Sequence, residues 1–177
     1  MPFPAPERIN RTLNTEHGIM NAQTIFGLQF ALSVIAWAVI AWVIFMPRLR
    51  TQPRSEILLW LAVPHVFRHI GMVFLVPGVV ADPLPTFFAN AAAYGDLLAG
   101  LLALVAVISL RAQWGIAVAV VWAFNIIGTA DLANALRNPE PIPAFGAAWY
   151  IPTFLVPLLL VTHFLIFREL VRKRPAH

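Results

Sequence analysis

Five stretches of this 177-residue chain are apolar over lengths that match a bilayer, and no other feature of the sequence constrains the fold as tightly. They cover residues 24–45, 56–80, 86–110, 113–136 and 147–167. A helix rising about 1.5 Å per residue needs about 20 apolar residues to cross a hydrocarbon core of roughly 30 Å. The sequence therefore predicts an all-α integral membrane protein, a bundle of about five transmembrane helices. Composition points the same way. Hydrophobic residues make up 60% of the chain and charged residues 11%, against about 45–50% and roughly 25% in soluble domains.

The gaps are short and polar or proline-rich: MPRLRTQPRS after the first span, ADPLP after the second, RNPEPIPAFG after the fourth. Only Arg111 and its neighbours separate the third span from the fourth, which predicts a tight antiparallel hairpin. Residues 1–23 have no apolar h-region, so they read as a short aqueous tail with a surface helix near residues 7–13. Residues 24–170 form one transmembrane domain and residues 171–177 a basic tail.

Lys and Arg in short loops set orientation. Arg48, Arg50, Arg54, Arg111, Arg168, Arg172, Lys173 and Arg174 fall on one side of a five-span chain. Arg8, Arg11 and Arg137 fall on the other, and Arg68 lies inside a span. The expectation is an N-terminus outside and a C-terminus in the cytoplasm, in a bacterial inner membrane. The net charge of +4 sits at span ends, where it suits orientation and anionic lipid and gives no nucleic-acid surface. Cysteine is absent, which removes disulfides, thiolate metal sites and cysteine nucleophiles. Trp60, Trp114, Trp149 and Tyr150 mark span ends, whereas Trp37, Trp42 and Trp122 are expected to pack against other helices.

Ionisable groups within a span are expensive, so each one marks a candidate site. Span two carries PHVFRHIGM. At about 100° per residue, His65, Arg68, His69 and Met72 share one arc, which must face the bundle. Helical rise brings Arg68, His69, Asp96 and Asn125 to one depth. Asp96 shares its face with Ala92, Ala99, Gly100 and Ala103, and small residues let helices approach closely. The predicted cluster is His65, Arg68, His69, Asp96 and Asn125. An Arg68–Asp96 ion pair lies at its heart, with Asn125 and a histidine completing the hydrogen bonds. Asp82, Asp131 and Asn134 form a shallower group, with Asp131 read as a solvated end residue. Asn90, Tyr94 and Gln29 are expected to line an outer vestibule, and His163 to lie at the interface.

Several chemistries fit such a cluster. Haem or another pigment needs an axial ligand, for which His65, His69 and His163 are the candidates, although no coloured cofactor is predicted. A metal on His65 and His69 would have the cationic Arg68 as its neighbour, and the sequence HVFRH lacks the glutamate of HExxH. The candidate catalytic pair for acid–base work on a lipophilic substrate is His69 with Asp96. P-loop, dinucleotide and nucleophile-elbow motifs are missing. The sequence is best read as an accessory subunit or a hydrophobic-ligand-binding protein, in contact with lipid and with partner subunits or copies of itself.

Overall fold

A computed structural model describes residues 21–81 and 83–172. The N-terminal tail with its expected surface helix, Asp82, and Lys173 and Arg174 lie outside these residues. Five helices are long and apolar enough to cross a membrane: α1 (Ala22–Leu49), α2 (Arg54–Leu75), α3 (Thr86–Arg111), α4 (Ala117–Leu136) and α5 (Gly146–Val171). No strand occurs among the described residues.

Two of the helices contain widened π turns, and prolines explain them. Proline cannot donate to the carbonyl four residues back, and its ring collides with that carbonyl. In α1 the widened segment is Ala41–Phe45, which holds the carbonyl opposed to Pro47. In α5 it is Ile151–Leu155, which holds the carbonyl opposed to Pro157. A π turn moves that carbonyl aside without ending the helix.

Helix α2 departs furthest from the expected geometry. It is α-helical over Arg54–Ala62 and then a 3-10 helix over Val63–Leu75. Pro64 sits in the first turn of the tighter segment, where it removes a donor from the α ladder. A 3-10 helix has three residues per turn and rises about 2.0 Å per residue, and runs beyond 3–4 residues are uncommon. Thirteen residues of it stack every third side chain on one line. His65, Arg68, Gly71 and Phe74 are accordingly the buried residues of the segment.

This line packs against α3. The facing residues of α3 are small and buried: Ala92, Ala99, Gly100 and Ala103 around Asp96. At Gly100 an added Cβ would lie 3.4 Å from the His69 backbone nitrogen, so the two backbones approach closely. Helix α4 also packs against α3. Gln113, at φ 55°, turns the chain between them, and its side chain caps the Leu110 carbonyl at 2.7 Å. At the opposite end the α2–α3 and α4–α5 connections pair. Ala81 N–H donates to Ala144 O at 3.0 Å, and Ala147 N–H to Val79 O at 2.8 Å. Gly146 has φ +51° and Val79 O where a Cβ would stand, so both backbone shape and space require glycine there.

The bundle is layered. Leu58, Leu61, Ala103, Val121, Phe124 and Ile166 belong to one apolar cluster. Phe74, Phe88, Ile142, Phe145 and Ala148 form another, nearer the N-terminal end of α3. His65 and Arg68 on α2, Asp96 on α3 and Asn125 on α4 fall between the two. Helix α1 buries only Met46 and leans on α5 through Trp37 Nε1–H to Phe154 O at 3.1 Å. Trp42 is 54% exposed, contrary to the expectation of packing. It stands instead under the guanidinium groups of Arg50 and Arg168, 5.4 and 4.9 Å from its ring centre.

Candidate functional site

Arg68 is 1% exposed and uses every face of its guanidinium. Its Nε–H donates to Asp96 Oδ1 at 2.8 Å, and one Nη1–H to Gly128 O at 3.0 Å. Nη2–H donates to Asp131 Oδ2 at 2.5 Å. Three helices thus meet on one side chain. The planar fork of arginine makes such divergent, directed bonding possible.

Glycine clears space for each partner. A Cβ on Gly71 would strike the Asp96 carboxylate, and one on Gly95 would strike Asp131. A Cβ on Gly128 would come within 2.8 Å of the His163 ring and 3.0 Å of Arg68 Nη1. Gly71 lies two 3-10 turns beyond His65, on the line that carries Arg68.

Behind the guanidinium lie two histidines whose rings touch, 4.1 Å between centres. Arg68 Nη1 faces His163 Nε2 at 3.4 Å, and a guanidinium has only hydrogens to offer. The His163 proton is therefore on Nδ1, which donates to Asn125 Oδ1 at 2.7 Å. Asn125 Nδ2–H returns a bond to His163 O at 3.3 Å. The Thr162 hydroxyl is within 2.9 and 3.0 Å of the Leu158 and Leu159 carbonyls and donates there. Its oxygen is left to accept from His65 Nε2–H at 2.9 Å. That leaves His65 Nδ1 buried with no hydrogen-bond partner. Both imidazoles are neutral in this network.

The structure brings together His65, Arg68, Asp96 and Asn125, and adds Asp131, His163 and Thr162. It does not bring in His69. That side chain is exposed and turned back to its own helix, Nδ1 lying 3.1 Å from Val66 O. Met72 is 40% exposed. The shared arc predicted for 65, 68, 69 and 72 assumed 3.6 residues per turn; at three per turn, 69 and 72 leave the face that 65 and 68 occupy. Asn125 reaches Arg68 only through His163. Asp131 is no solvated end residue but the second anion on Arg68. His163 is 1% exposed and not interfacial, because α5 continues to Val171, placing it about 12 Å inside that helix end. Asn90 and Tyr94 are exposed and line none of the three cavities described below. Gln29 accepts from Trp149 Nε1–H at 2.6 Å.

These positions narrow the chemistry. The acid–base pair of His69 with Asp96 is not assembled. The contacting His65 and His163 rings leave no gap for a porphyrin between two axial ligands, and each is held by other bonds. Among the described residues no three His, Asp or Glu side chains gather as metal ligands.

A cavity of about 220 Å³ lies against the two carboxylates. Phe26, Phe74, Phe88 and Phe145 line it, with Asn138 and Pro139 toward the bundle end. A smaller space of about 140 Å³ adjoins Asp131 and Asn134. A larger cleft of about 430 Å³ lies between α1, α2 and α5, and among the described residues Arg48 is the only charged one lining it.

The chain belongs to the family described as "Domain of unknown function (DUF8737)", which matches residues 25–171. The match runs from the first turn of α1 to the end of α5 and takes in every residue of the cluster. No curated protein and no solved structure matches the chain.

Proposed function

We propose that this chain is an integral protein of a bacterial inner membrane, N-terminus outside, that binds a hydrophobic ligand in the cavity over Arg68, Asp96 and Asp131. The observation that carries this reading is the cavity itself: an apolar, aromatic wall with a few convergent polar groups at one end, the usual anatomy of a small-molecule site. The rest of the cluster supports it. Arg68 fixes one oxygen of each carboxylate, and His163, held by Asn125, backs the guanidinium, the support a binding site needs. Exposed leucine, isoleucine and phenylalanine side chains around the bundle support immersion in lipid, and the basic span ends support the orientation.

The test is to fill the cavity. Ala135 lines it and is only partly buried, so Ala135→Trp adds an indole with little disturbance of the core. Solvent extraction of purified wild-type protein, followed by mass spectrometry, should release a small molecule in near-stoichiometric amount. The variant should carry at least tenfold less at an unchanged melting temperature. Equal amounts in both proteins, or none in either, would overturn the reading.

A further inference from the structure

We infer that the ligand of this cavity is a lipophilic cation, an amine or ammonium group on an aryl or alkyl body. The inference rests on the ligand-binding reading above and adds the charge of the ligand to it.

The first ground is the charge count at the cavity floor. One guanidinium faces two carboxylates. The groups that surround them from each helix are His65 on α2, Asn125 on α4 and His163 on α5, and all three are neutral in the hydrogen-bond network. With both carboxylates ionised, the guanidinium and the two carboxylates sum to −1. Within a bundle flanked by lipid, an unbalanced charge is costly, and the site calls for one more positive charge.

The second ground is where the unused acceptors lie. Arg68 takes one oxygen of each carboxylate. Asp96 Oδ2 and Asp131 Oδ1 rest against the bare backbones of Gly71 and Gly95, and no described residue donates to either. The two side chains keep 13% and 17% exposure, and both residues line the cavity. A charged N–H donor entering there meets acceptors already fixed in place, the strong form of hydrogen bond.

The wall is the third ground. Phe74, Phe88 and Phe145 are mutually packed, 5.7–5.9 Å between ring centres, and Phe26 joins Phe145 at 6.1 Å. Aromatic faces attract cations, and cages of them are a common way to hold ammonium groups. Among the described residues no lysine or arginine lines the cavity to oppose such a guest. An anionic ligand would meet two carboxylates whose shared cation is already engaged on every side.

The experiment compares three molecules of one shape: 4-phenylbutylamine, 4-phenylbutanol and 4-phenylbutyrate. Binding is measured by calorimetry to the full chain in zwitterionic nanodiscs, with empty nanodiscs as the partition blank. The amine should bind at least tenfold more tightly than the alcohol, and the carboxylate should show no binding above the blank. Asp131→Asn, which removes one anion and keeps the shape, should cut the preference for amine over alcohol to threefold or less. Equal binding of amine and alcohol by the wild type, both blocked by Ala135→Trp, would overturn the cation and leave the ligand site standing. Tighter binding of the carboxylate would do the same. Binding of all three that Ala135→Trp leaves unchanged would overturn both. Should Asp131→Asn fail to fold, the wild-type series with Ala135→Trp decides the matter alone.

Discussion

Arg68 holds the bundle together because it answers three helices at once. Breaking a buried ion pair by removing one partner costs about 3–5 kcal/mol, since the other charge stays buried and unpaired. Arg68→Leu strands two carboxylates, so a steep loss of monodisperse protein on size exclusion is expected. Arg68→Lys should recover little, because a single ammonium cannot bond along three fixed directions. Removing all the charges together is milder: Arg68→Leu with Asp96→Asn and Asp131→Asn should regain most of the folded yield while losing amine binding. His69→Ala, one residue away, should shift stability by no more than about 0.5 kcal/mol, the range of surface substitutions. The Arg68–Asp96 pair could be read from the sequence because both residues are charged and helical rise puts them at one depth. Asp131 and Thr162 could not. Asp131 lies near a helix end, where carboxylates are ordinarily solvated, and threonine is common enough in apolar runs to raise no signal.

The decisive element is the 3-10 half of α2. It rotates His69 and Met72 off the buried line and places Gly71 on it. Its longer rise also carries Arg68 about 3 Å further along the bundle than an α-helix would, toward the level of Asp131. Pro64 announced a disturbance, but a single proline predicts a kink and not thirteen residues of altered pitch. That pitch depends on the alanine-lined face of α3, which no pattern within α2 reveals. The glycines test it. Gly71→Ala and Gly128→Ala each drive a methyl into the cluster and should lower the melting temperature by several degrees, with the loss of ligand that follows from displaced carboxylates. Gly27→Ala, with nothing within 4 Å of the new methyl, should leave both unchanged. Thermal unfolding of the three variants side by side checks this. Were Gly71→Ala as harmless as Gly27→Ala, the close 3-10 contact between α2 and α3 would be wrong.

At the scale of the whole molecule, the two ends differ in charge, and on the proposed reading that difference sets the side from which a ligand would come. Arg48, Arg50, Arg54, Arg111, Arg168 and Arg172 all stand at the end opposite the cavity. There Arg54 caps the last turn of α5 through the Glu169 and Leu170 carbonyls, at 3.0 and 2.5 Å, and Trp42 lies beneath two guanidinium groups. Cations with tryptophan at one level are what a headgroup layer favours. The cavity end carries Arg137 alone among the described residues. If the chain inserts by the positive-inside rule, the cavity opens to the outside, and the proposed cationic ligand would approach without passing the arginine-rich face. Alkaline phosphatase, active only when exported, should be active when fused after residue 139 and inactive when fused after residue 172. The reverse pattern would turn the bundle over. The site would keep its geometry and its charge, but its ligand would then come from the cytoplasm.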